Sequence, residues 1–143
     1  MTWMKFEVTT FALDIPSTWL VKATPQFQAM FIGKKQDDEP IFPSLTIAIM
    51  ISKDDLPTYF NQIAQVQTTE YPDYQIMDET HGPAWIERSY RWQYPGVPER
   101  LIQRQRFYID RNNIYTLTMT YLPSQTNATQ ETFAVMLNSF EFI

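Results

Sequence analysis

"RLIQRQRFYI", residues 100–109, is the stretch on which the reading of the fold turns. Apolar and polar residues alternate along it with the period of two that a strand imposes. A strand over 100–110 puts Leu101, Gln103, Gln105, Phe107 and Ile109 on one face. Ile102, Arg104, Arg106 and Tyr108 fall on the other. Neither face is wholly dry or wholly wet.

Working outward, "YPGVP" (94–98) before this strand and "DRNN" (110–113) after it are turn sequences. Alternating stretches flank them at 84–94 and 113–122, and "HGP" (81–83) separates a further stretch at 75–80. The middle of the chain therefore reads as a meander of antiparallel hairpins. Upstream, "SLTIAIMIS" (44–52) sets Leu45, Ile47, Ile49 and Ile51 against Thr46, Ala48 and Met50. With both faces largely apolar, it is expected to be a central strand covered on both sides. Residues 5–15 read as one or two strands, 16–19 as a turn with Trp19 as a core anchor, and 27–33 as another strand. The charged "KKQDDEP" (34–40) is a solvated loop tip.

Two segments change period. In "KDDLPTYFNQIAQVQTT" (53–69), Leu56, Phe60 and Ile63 recur at helical spacing, and Tyr59 and Val66 extend that face. Asp54 or Asp55 can cap the helix, and Pro57 is tolerated in its first turn. Near the C-terminus Phe133, Met136, Leu137 and Phe140 predict a second helix over 127–138. Thr126 or Asn127 is its expected cap, and Asn127 with Gln130 has capping-box spacing. "FEFI" then predicts a short final strand. The expectation is a single α+β domain over residues 1–143: an antiparallel sheet of about six strands with two main helices packed on it.

Composition bounds the chemistry. The chain has 143 residues, no cysteine and one histidine, so thiolate chemistry, disulfides and His- or Cys-rich metal sites are excluded. His81 lies in a turn sequence, and no serine sits in a nucleophile elbow. Three scattered glycines cannot build a phosphate loop. The acidic pairs Asp37–Asp38, Asp54–Asp55 and Asp78–Glu79 are explained by a loop tip, a helix start and a strand end. No enzyme, no metal and no cofactor is expected. A net charge of −5 argues against nucleic acid as a partner. The longest apolar run, at 45–51, is too short to span a bilayer, and the N-terminus does not read as a signal peptide. A cytoplasmic protein without membrane insertion is the expectation.

The cations are unevenly placed. All six arginines lie between positions 88 and 111, and all five lysines at or before position 53. Two readings stand for Arg88, Arg104 and Arg106. They pair across strands with Glu87 and Glu99 while their stems cover aromatic rings, or they form a site for an acidic protein partner. Two readings stand for Gln103 and Gln105 as well. Amides on an apolar face must find partners. Either they bond across the sheet, or they line a largely apolar groove that receives the polar groups of a greasy ligand. Seven methionines, among them Met30, Met50, Met119 and Met136, suit an adaptable binding surface as well as a core.

The order of the pieces resembles a known family. "FALDIPSTW", "PSLTIAIMISKDDLPTYFNQI", the hairpin "SYRWQYPGVPERLIQRQRFYI", "YTLTMTYLPS" and "MLNSFEF" together resemble the DcrB/PsbP/Mog-like superfamily over roughly residues 6–142. Within it they are similar to the Eag chaperones of type VI secretion. The spacing W-x-x-x-G-x-x-x-x-x-x-Q-x-Q from Trp92 to Gln105 and S-F-x-F from Ser139 to Phe142 carry most of the likeness. The resemblance implies a non-enzymatic homodimer that shields hydrophobic N-terminal transmembrane helices of a secreted effector. It maps the client-contacting amides of that family onto Gln103 and Gln105 in the hairpin and Gln62 on the first helix. Leu101, Phe107, Met50 and Met119 are the expected apolar contacts around them. Other branches of the superfamily bind protein partners such as Ran, which corresponds to the arginine reading.

Overall fold

A computed structural model describes residues 1–25 and 27–143, and the backbone alone of Thr126. Among the described residues, ten strands and two α-helices build an α+β fold. Seven strands form one antiparallel sheet: β3 (Leu20–Thr24), β4 (Phe27–Ile32), β5 (Ser44–Ile51), β6 (Gln75–His81), β7 (Trp85–Trp92), β8 (Leu101–Asp110) and β9 (Asn113–Tyr121). Their order is β3-β4-β5-β9-β8-β7-β6. A second sheet has β2 (Phe11–Pro16) between β1 (Trp3–Glu7) and β10 (Glu141–Phe142). The sheet system is thus larger than the six strands expected. The short strand β3, "LVKAT", is largely exposed and carries no strand-long alternation, and "FEFI" pairs with β2 rather than with the large sheet.

The hairpins rest on specific turns. Val97 N–H donates to Tyr94 O at 3.2 Å, with Pro95 and Gly96 between them and Gly96 at φ +82°. That is a type II turn, which needs a residue able to take positive φ at its third position. The β8–β9 link has Arg111 at φ 51° and Asn112 at φ 66°, the two-residue turn whose twist suits flanking strands. Both turns fix register, and a slip of one residue would move every side chain to the opposite face.

One face of the large sheet carries the main core. Phe31, Leu45, Ile47, Tyr115, Leu117 and Met119 meet Phe11, Leu13 and Ile15 of β2. The helix α2 (Thr126–Ser139) adds Phe133, Met136 and Leu137. The helix begins differently from its expected cap. Asn127 lies inside it, and the Thr126 side chain is outside the described residues. Gln125 precedes the first turn, its Oε1 accepting from Leu122 N–H at 2.9 Å and its Nε2 donating to Ile41 O at 3.1 Å. Gln130 does not close a capping box; its Nε2 donates to Tyr121 Oη at 3.1 Å.

The other face carries α1 (Leu56–Glu70), capped by Asp55 as expected, whose carboxylate accepts from Thr58 N–H at 2.8 Å. Leu56 and Phe60 bury against Ile86, Phe107 and Ile114. The same stripe continues to Gln67, three turns on from Leu56 at 3.6 residues per turn, so Gln67 rather than Val66 lies over the sheet. Val66 is exposed. α1 packs mainly on β7 and β8 and reaches β9 at Ile114. For β5 the expectation of cover on both faces holds only in its first half: Leu45 and Ile47 are sealed in the core and Thr46 is buried on the far side, while Ala48 and Met50 there stay partly or largely open. No helix among the described residues is long and apolar enough to cross a membrane.

Candidate binding face beside α1

Register places the two glutamines in cross-strand rows. One row runs Tyr90, Gln103, Thr120 and Ser44 across β7, β8, β9 and β5. The next runs Arg88, Gln105, Thr118, Thr46 and on to Met30 in β4. Each amide is bonded along its row: Gln103 Nε2 donates to Thr120 Oγ1 at 3.0 Å, and Gln105 Nε2 to Thr118 Oγ1 at 3.1 Å. Gln103 Oε1 accepts from Tyr90 Oη at 2.8 Å and from Trp92 Nε1 at 3.0 Å.

A third glutamine ties α1 into these rows. Gln67, 4% exposed, donates from Nε2 to Gln105 Oε1 at 2.7 Å and to Tyr90 Oη at 3.2 Å. Its Oε1 accepts from Tyr74 Oη at 3.0 Å. The buried polar groups thus satisfy one another, which is the condition for keeping amides on an apolar face. Burial first, and then the neighbouring Tyr71 and Tyr74, push the Tyr90 phenol far above its usual value, so it stays neutral as donor and acceptor. Tyr71 stacks on Trp92 with centroids 4.1 Å apart and closes one end of the cluster.

Beyond the edge of α1 the rows emerge into a concavity of about 250 Å³. Its floor is Gln103, Gln105, Thr118, Thr120 and Thr46, and its walls are Tyr71 and Tyr90 on one side and Met30 and Phe27 on the other. Thr118 and Thr120 accept from the glutamines, and a hydroxyl that accepts can also donate. Outward of α1 the uncovered strands β9, β5, β4 and β3 lie about 14 Å apart from first to last at normal strand spacing. An α-helix with its side chains is about 10–12 Å across, so the strip has room for one.

The expected contact residues separate on this frame. Gln103 and Gln105 lie at the floor together. Leu101 is on the same face but buried among Tyr90, Trp92, Val97 and Leu122. Phe107 is buried beneath Tyr59 and Phe60, with ring centroids 6.0 and 5.3 Å away. Both are sealed by the protein's own helix end and aromatic cluster. Met50 is exposed at the far end of the face, where its Sδ accepts from Tyr59 Oη at 3.4 Å. Met119 is not on this face. Its register with Arg104 and Leu45 puts it in the main core, fully buried. Gln62 is exposed on the side of α1 away from the sheet, and the amide that α1 brings to the glutamine rows is Gln67. The spacing of "TLTMT" (116–120), a hydroxyl at every second position, is the signal in the sequence that points to the threonine floor.

The arginines are held by the protein itself. Glu87 binds Arg106 Nε at 3.0 Å and Arg104 Nη2 at 3.1 Å on the face opposite the glutamines. The Arg106 guanidinium lies 3.7 Å from the Trp85 ring centroid. Arg88, 4% exposed, lies under α1, bonded to Glu79 and to Phe60 O at 3.1 Å each and 3.7 Å from the Phe60 ring centroid. Glu99 accepts from Ser124 at 3.2 Å and from no arginine. His81 ends β6, with Nε2 3.9 Å from Glu79. Among the described residues no three His, Cys, Asp or Glu side chains gather as a metal site.

No protein-family model matches the chain, and no curated protein matches it in sequence. Solved structures do. Cyanobacterial PsbP (CyanoP) from Synechocystis sp. PCC 6803 superposes with a TM-score of 0.67 at 12% identity, over 99% of this chain and 92% of that one. LpqN, involved in cell envelope biogenesis of Mycobacterium tuberculosis, gives 0.66 at 12% identity, over 92% and 82%. PA94, a protein of unknown function from Pseudomonas aeruginosa, gives 0.65 at 16% identity, over 92% and 91%.

The fold is PsbP-like. It is the fold that the ordered motifs predict, and at these identities the likeness concerns the fold alone.

Proposed function

We propose that the chain is a non-enzymatic binding module that holds an apolar helix on the uncovered strip beside α1. The finer reading is an Eag-type chaperone for the hydrophobic N-terminal segment of a type VI secretion effector, acting as a homodimer. The observation that carries the proposal is the floor of Thr46, Thr118, Thr120, Gln103 and Gln105 between apolar walls. A transmembrane segment is apolar but carries occasional serines, threonines and exposed carbonyls. Such a segment buries its apolar area against Met30 and Phe27, and its polar groups meet hydroxyls rather than hydrocarbon. The glutamines hold the hydroxyls in place, and α1 holds the glutamines. The PsbP-like fold is compatible with an accessory, partner-binding role. The arginine reading has less support, since Arg88, Arg104 and Arg106 are engaged within the chain.

The test is coexpression with the tagged N-terminal apolar segment of a type VI effector, read as soluble copurifying segment. The wild-type chain is expected to keep the segment soluble, and Met30→Asp or Thr118→Glu to abolish this at a temperature where each variant still unfolds cooperatively from the folded state. Equal recovery with those variants overturns the proposal. Light scattering of the purified chain checks the dimer.

A further inference from the structure

At the outer edge of the same sheet face the surface changes character. Lys22, Lys34 and Lys35 surround a concavity of about 540 Å³ whose apolar wall is Leu20, Ile32 and Phe42. Strand pairing sets Leu20 opposite Ile32 and Lys22 opposite Met30. Gly33 N–H donates to Pro43 O at 2.8 Å, closing the base of the intervening loop and bringing Lys34, Lys35 and Phe42 to one mouth. Leu20 and Phe42 are each about half exposed, at 53% and 51%.

The charge here is uncompensated. Among the described residues, ion pairs engage Lys5, His81, Arg88, Arg104 and Arg106 but none of these three lysines. Lys35 Nζ reaches only Gln36 O, at 3.4 Å, and stands 5.1 Å from the Phe42 ring centroid. The acidic residues of the same loop do not line the concavity, and Glu39 Oε1 is turned back to accept from Gln36 N–H at 2.6 Å. Three of the five lysines of a chain with net charge −5 therefore converge on bare hydrocarbon.

We propose that this concavity binds a soluble, single-chain amphiphile with an anionic head, of the medium-chain carboxylate class. The alkyl chain lies along Leu20, Ile32 and Phe42, and the head is held by lysine ammonium groups through charge-assisted bonds. The volume lies within the range of small-molecule sites. A membrane surface fits less well. The apolar residues line a recess, and the neighbouring Asp37 and Asp38 would be repelled by an anionic bilayer. The site lies beyond Met30, on the outer strands β3 and β4 of that strip, and its titration needs no helical partner.

Calorimetric titration of the full chain with dodecanoate, below its micelle concentration, tests it. Saturable one-to-one binding is expected, with octanoate about tenfold weaker or more and dodecyltrimethylammonium not binding. The Lys22→Gln/Lys34→Gln/Lys35→Gln variant is expected to lose about tenfold or more, and Phe42→Ser, at a half-exposed position, to weaken dodecanoate independently. The proposal is overturned by no saturable dodecanoate binding, by equal binding of the cationic amphiphile, or by full affinity in both variants. Cosedimentation with phosphatidylglycerol vesicles in place of dodecanoate binding also overturns it.

Discussion

Gln67 of α1 donates to Gln105 of β8 at 2.7 Å, and this amide–amide bond joins the first helix to the floor of the open face. Gln67→Ala leaves the Gln105 carbonyl and the Tyr74 hydroxyl short of a partner in a buried setting. Stability is expected to fall by ~2 kcal/mol or more, read from urea unfolding. A Gln67→Ala/Gln105→Ala cycle should show coupling of about 1 kcal/mol. Strict additivity would mean that the two amides do not depend on one another.

Glu87 is the shared anion of Arg104 and Arg106 and is 8% exposed. Glu87→Gln leaves two half-buried cations without a counter-charge, with an expected loss of about 2 kcal/mol because some solvent still reaches them. Recovery of an apolar segment should be unaffected, since the pair lies on the opposite face. Urea unfolding and coexpression on the same variant separate the two effects.

Alkaline stability follows from the tyrosines. The Tyr90 pKa is raised by burial, and those of Tyr59, Tyr71 and Tyr74 are raised mainly by burial as well. Their folded values lie above the ordinary 10.0. Above that pH the unfolded chain loses protons that the folded chain keeps, so the stability present below about pH 10 declines as pH rises. Absorbance titration should show fewer than the eight tyrosines ionising before the chain unfolds. All eight titrating together in the folded state would contradict the buried cluster.

Asp55 shows the opposite sign. Its bonds to Thr58 hold its carboxyl below the ordinary 3.8. The cap contributes above that value and is lost as pH falls through the folded one. Asp55→Ala should lower the melting temperature at pH 7 and converge with wild type in acid, while Asp55→Asn keeps the cap at both.

Gly96 sits at φ +82° with open space where a side chain would go. Gly96→Ala is expected to cost about 1 kcal/mol from backbone strain alone. Gly33→Ala costs more by steric conflict, because its Cβ would lie 2.8 Å from the Trp19 ring and 3.1 Å from Pro43. Thermal denaturation of the two variants ranks them.

The sequence by itself determined the local structure. The alternation in 100–109, the Pro95–Gly96 and Arg111–Asn112 turns, the Asp55 cap and the apolar spacing of both helices are all legible, because each depends on neighbours within a few residues. Cross-strand partners of the arginines were legible for Glu87, which lies on the adjacent hairpin arm. Tertiary structure decided the rest. The helical period alone puts Gln67, and not Gln62, on the stripe of Leu56, Phe60 and Ile63, while tertiary structure decided that it meets Gln105 and Tyr90 there. Which methionines are open depends on register summed over several strands, and that buried Met119 while leaving Met30 at the groove wall. Gln103 and Gln105 could be read as misplaced amides in the sequence. Strand register gave them Tyr90 on one side and a row of threonine hydroxyls on the other, and the packing of α1 added Gln67.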